Sequence, residues 1–205
     1  MRIPAIFGAR AWGLGLMVWA VVALVLAAAP EPGLAHKGHS GPMITFLEDK
    51  AALKAMLPEG AKISQRKEVL KATEVAWAKQ ALGVDLKEGV YPYFLARDRA
   101  TDQPVGAAVV WEVDYEHAEV HLALGMDPAG HVTRAALLGT NEQFVPEFKE
   151  GVGTGFLDDL KGATVQDLAA RAAQVPESNE ALGFVLERMR DMGALLAAFL
   201  HGMQA

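Results

Sequence analysis

The chain predicts an α+β fold, an antiparallel meander of about four strands packed on helices, behind an N-terminal signal or anchor helix. Two observations carry this. Apolar residues recur at period two between residues 91 and 140, and at helical period on either side of that stretch. A turn signature, Asp127-Pro128-Ala129-Gly130, with Pro second and Gly fourth, joins two of the period-two segments. There is no internal repeat and no long low-complexity stretch.

The first element is the N-terminal segment. Arg2 and Arg10 precede an uncharged run of 18 residues from Trp12 to Ala29, and a Pro- and Gly-containing stretch then ends Gly33-Leu34-Ala35. That order reads as a secretory signal cleaved after Ala35. The competing reading is an uncleaved anchor, because 18 apolar residues can just span a bilayer. Both readings place the rest of the chain in the periplasm or another extracytoplasmic compartment, in the second case anchored by residues 12–29.

Residues 36–43, "HKGHSGPM", read as a loose lead-in, and "FLEDKAALKAML" (46–57) as a short helix stopping before Pro58-Glu59-Gly60. The main domain is expected over residues 60–205. A longer helix is expected from Ser64 to Leu82, with Val69, Leu70, Thr73, Trp77 and Ala81 on one face and Gly83 as its stop. Four strands follow, at 91–98, 104–115, 118–126 and 131–140. In the second, Val105, Ala107, Val109, Trp111 and Val113 alternate with Gly106, Ala108, Val110, Glu112 and Asp114, giving one face for helices to cover. The pattern then returns to helix. One helix is expected from Thr164 to Ala173, and a final amphipathic one bears the stripe Leu182, Val185, Leu186, Met189, Leu196, Phe199 and Leu200.

Composition narrows the function. Removing residues 1–35 takes Arg2, Arg10 and Glu31 from 19 basic and 25 acidic residues, leaving 17 and 24, a net charge of −7. An acidic chain without a basic tract is a poor partner for nucleic acid, whose binding rests on phosphate neutralisation. There is no cysteine, so disulfides, thiolate zinc sites, iron–sulfur clusters and C-x-x-C-H haem attachment are excluded. Any redox role then requires a bound cofactor. No Ser-His-Asp pattern, H-E-x-x-H or P-loop points to a separate catalytic apparatus.

The segment "DDLKGATVQDL" (158–168) carries the sharpest motif. Thr164 stands at the start of its helix, where its hydroxyl can cap the first turn. The same place suits a phosphate, held by free first-turn amides and the positive end of the helix dipole, with Lys161 adding a charge. Together with "DPAGHVTRAALLGT" upstream, the segment resembles the FMN-binding domain of small periplasm-facing subunits of sodium-pumping NADH:quinone reductase and related electron-transport complexes. The resemblance covers roughly residues 60–205.

In that family the motif Asp-x-x-Ser/Thr-Gly-Ala-Thr/Ser receives FMN through its phosphate on the last residue, attached by a flavin transferase. By position the resemblance makes Asp158 the motif's acid, Gly162 and Ala163 its central pair, and Thr164 the acceptor. Lys161 stands where the family has Ser or Thr, and Thr140 in Gly139-Thr140-Asn141-Glu142 is the remnant of a Glu-Thr-Pro-Gly turn that contributes to the flavin pocket. The resemblance implies an exported FMN electron-transfer module, with flavin held covalently or non-covalently, exchanging electrons with a membrane redox complex or cytochrome. Tyr91, Tyr93, Trp111 and Phe144 are the aromatic candidates for its ring slot.

A rival reading is a periplasmic metal-binding or ligand-sensing protein without flavin. Cleavage after Ala35 would leave His36 as the N-terminus with His39 nearby, an arrangement that can chelate copper. His117, Glu119 and His121 alternate at a spacing suited to a metal on a strand face, or to its wet side.

Overall fold

The computed structural model describes residues 40–203. The expected signal or anchor, residues 1–35, and the candidates His36 and His39 lie outside the described residues. The strands are β1 (Met43–Thr45), β2 (Lys62–Leu70), β3 (Gly89–Arg97), β4 (Pro104–Tyr115), β5 (Ala118–Met126), β6 (Val132–Asn141) and β7 (Gly155–Phe156). They form one antiparallel sheet in the order β1-β6-β5-β4-β3-β2, with β7 also on β6. The meander expected from period two is its centre, β3 to β6.

The helices are α1 (Asp49–Met56), α2 (Ala72–Trp77), α3 (Val145–Gly151), α4 (Val165–Ala172) and α5 (Glu180–Gly202). The expected stripe on α5 is correct but incomplete. Met192, Ala194, Leu195 and Ala198 are buried as well, so the second half of α5 is apolar nearly all round, as a helix enclosed on all sides must be. It rests on the face of the sheet that carries Leu95, Val109, Leu122, Leu124 and Leu137, with Tyr93 stacked on Phe199 at 4.8 Å between ring centres.

The opposite face is covered too, which period two alone does not reveal. Ala52, Met56 and Leu57 of the α1 region pack on Leu138 and on Ala96, Ala108, Ala123 and Ala136, small side chains drawn from four adjacent strands. The close approach demands glycine at 125, where a Cβ would sit 2.6 Å from both Met56 Cβ and Thr133 Oγ1. Thr133 Oγ1 in turn donates to the Met56 carbonyl at 2.7 Å, satisfying an otherwise open acceptor at the helix end.

Two expectations are corrected. The helix from Ser64 to Leu82 is in fact the edge strand β2, followed by α2 and a wide turn over Ala78–Leu82 that Gly83 does terminate. Being an edge, β2 carries mixed charge and little buried apolar surface, so its alternation was invisible. Of the five residues assigned to one helix face, Leu70 is buried whereas Val69 is exposed, because they point to opposite sides of a strand. The loose lead-in also ends earlier than expected. Ser40 is 2 % exposed and donates to the His117 carbonyl, and β1 pairs with β6 from Met43 to Thr45.

Gly125→Ala is expected to lower unfolding free energy by about 1–3 kcal/mol, the range for forcing extra volume into a packed contact. Urea denaturation measures it. An unchanged midpoint would mean that α1 is not seated on β5 as described.

Candidate functional site

Residues 158–164 follow β7 and precede α4. A single 3-10 turn, Asp158–Leu160, buries Leu160 and leaves Asp158 and Asp159 outside. Gly162 then takes φ +80°, a left-handed conformation that favours glycine, and reverses the chain. The Gly162 amide donates to the Val132 carbonyl at 2.8 Å, and the Val132 amide donates to the Ala163 carbonyl at 2.9 Å. The Ala163 amide donates to the Leu160 carbonyl at 3.2 Å. The Gly-Ala pair is thus a clamp on the beginning of β6, and its amides are engaged within the protein rather than turned to a ligand.

Thr164 is the N-cap of α4, as the capping reading of the sequence has it. Its hydroxyl donates to Asp167 Oδ2 at 2.8 Å and accepts from the Asp167 amide at 3.2 Å, while its own amide donates to the same carboxylate at 2.8 Å. These hydrogen bonds, the one from the Thr164 amide foremost, hold the Asp167 carboxyl below the ordinary carboxylate range. The first intrahelical bond runs from Leu168 to Thr164, so the Val165 and Gln166 amides precede it and need other partners.

The segment borders three cavities. Asp158 edges one of about 560 Å³, walled by Val152, Phe156, Leu157, Val175 and Leu186 with Arg171 at its rim. Lys161 and Gly162 edge a second of about 670 Å³, shared with His131, Arg134, Met56 and Pro58. Thr164 edges a third of about 260 Å³, walled by Trp77, Leu82, Leu200 and His201, where the Trp77 and His201 rings stack at 4.4 Å. The polar groups beside Lys161 already have partners. Arg134 lies 3.6 Å from Asp158 and over the Phe156 ring at 4.5 Å, and His131 is 3.5 Å from Asp127.

Of the expected flavin contacts, Asp158, Lys161, Gly162, Ala163 and Thr164 share one short segment, but Asp158, Lys161 and Thr164 open onto three different cavities, and Thr140 is not near any of them. Val132 sits at the clamp and Thr140 lies eight residues further along β6, roughly 26 Å away at about 3.3 Å per residue. There Thr140 is fully buried, faces Val120, and its hydroxyl has no hydrogen-bond partner among the described residues.

The four aromatic candidates also serve elsewhere. Tyr93 is buried with its hydroxyl on Glu68 at 2.8 Å. Phe144 packs edge-on against Tyr115, Trp111 lies against the main core, and the Tyr91 hydroxyl donates to the Lys87 carbonyl at 2.9 Å. The aromatic beside Thr164 is Trp77. The helical pattern gives it a core face, and only the long-range pairing with His201 brings it to this cleft.

The expected metal trio changes one member. His117 lies in the β4–β5 turn, whereas Glu112, directly opposite His121 in the strand register, joins Glu119 and His121 in a cluster. Compared with protein-family models, with curated proteins and with solved structures, the chain matches none.

Asp167→Asn is expected to destabilise the start of α4 at neutral pH. A carboxyl with a depressed folded-state pKa stabilises above its unfolded value and ceases to as pH falls through its folded value. The penalty should therefore be full above about pH 4 and fade below it. Thermal melts of both proteins from pH 7 to pH 3 measure this, and a penalty independent of pH would remove the capping role.

Proposed function

We propose that the chain is an exported FMN-binding electron carrier, with the flavin phosphate attached at Thr164, serving a membrane redox complex or cytochrome and matured by a flavin transferase. One observation carries the reading. Thr164 lies at a helix N-terminus on the edge of a cleft, with a tryptophan in the wall, inside a segment that resembles a flavin-attachment motif.

The fit can be judged residue by residue. The Val165 and Gln166 amides and the helix dipole suit a phosphate, whereas Lys161, three residues earlier, opens onto a different cavity. An ester on Thr164 keeps the acceptor role toward the Asp167 amide and ends the donation to the Asp167 carboxylate. That carboxylate, 2.8 Å from the hydroxyl, must turn away from a phosphate. The cleft of about 260 Å³ is smaller than the roughly 300–1,000 Å³ usual for small-molecule sites, so it would not enclose a flavin ring, and Trp77, already stacked on His201, would be the aromatic residue beside it. When bound, FMN supplies one-electron transfer, and an exposed edge suits exchange between partners. The protein's part is to hold and orient the group.

The test is the denatured intact mass of protein purified from its host's envelope. A gain equal to FMN minus water, on the peptide containing Thr164 and lost in Thr164→Val, is the expected result. Unmodified mass with yellow colour before denaturation would replace the ester by non-covalent binding. Unmodified, colourless protein would sink the flavin reading and leave the metal alternative, for which His36 and His39 lie outside the described residues.

A further inference from the structure

We infer that Glu112, Glu119 and His121 form a binding site for a divalent first-row transition-metal ion, built into the β4–β5 hairpin and independent of the flavin reading. The strand register creates it. Glu112 lies directly across from His121, and Glu119, two residues before His121, points to the same face. One donor atom from each lies within 4.8 Å of the others, and His121 Nε2 is 2.7 Å from Glu119 Oε1. Donors bound to one ion at about 2.0–2.2 Å lie closer together than that, so small side-chain rotations close the set.

The support is stiff where it matters. His121 and Glu119 are 21 % and 34 % exposed at their side chains, while Glu112 is open to solvent. The Glu119 amide donates to Asn141 Oδ1 at 2.6 Å, and Asn141 Nδ2 donates to the Gly41 carbonyl at 3.0 Å, tying β5 to β6 and to the entering chain. One imidazole nitrogen with two carboxylates suits a borderline ion such as zinc. Calcium and magnesium prefer all-oxygen sets, and cuprous copper prefers sulfur. Three protein ligands leave further coordination positions to water, which marks an exchangeable site rather than a closed structural one.

The experiment is a calorimetric titration of chelator-stripped, full-length protein with Zn²⁺, repeated on Glu112→Gln, Glu119→Gln and His121→Gln. Glu116→Gln, in the adjoining turn, is the control. One equivalent is expected to bind, at least roughly tenfold more weakly in each ligand variant and equally in the control. Melting in EDTA confirms that each variant is folded, and Glu112→Gln, an exposed isosteric change, decides should His121→Gln not fold. Failure to bind, or affinity equal to the unsubstituted protein's in Glu112→Gln and His121→Gln, overturns the site. Binding lost only on His36→Ala or His39→Ala also overturns it and assigns the ion to those histidines. Flavin content is measured alongside, and neither its presence nor its absence changes what the zinc titration says about the site.

Discussion

The burial of α5 is the constraint on which the other placements rest. From Met192 to Leu200 the helix has almost no solvent face, so the sheet must meet it on one side and α4 and the segments around it on another. Gly193 shows how tight this is, for a Cβ there would lie 3.2 Å from both Met126 and Val165. Side chains that close transmit position, because a packed interior yields little. The start of α4, and with it Thr164, is therefore located by the core rather than by its own loop.

A second layer of control comes from the two faces of the sheet. The α5 face is paved with leucine, valine and methionine, whereas the α1 face uses alanine and glycine to admit a helix at short range. Beyond α1 the latter face is free to carry polar groups, and Glu112, Glu119 and His121 occupy it. One set of strands thus supports two separate chemical neighbourhoods, one at the start of β6 and one along the β4–β5 ladder.

Much of this was legible in residue order. Period two gave β4, β5 and β6, the Asp127–Gly130 signature gave a turn in which Asp127 Oδ1 accepts from Ala129 and His131, and the α5 stripe gave its core face. Thr164 was readable as a helix cap because capping is local. What failed was non-local. An edge strand such as β2 has too little buried surface to show its period. The nearness of Trp77 to Thr164, or of Glu112 to His121, depends on pairings between distant segments. The distance between Thr140 and Thr164 was hidden for the same reason, since residue order runs along β6 without saying which end receives the returning chain.

The hydrogen bonds of the clamp between Gly162–Ala163 and Val132 are completed within the polypeptide, so the shape of the segment is a property of the fold itself. The exposed side chains of Asp158, Asp159 and Lys161 take no part in those backbone bonds, and changing them leaves the clamp in place. Over evolutionary time such a scaffold can exchange the side chains around its clefts while β6 and α4 stay where they are.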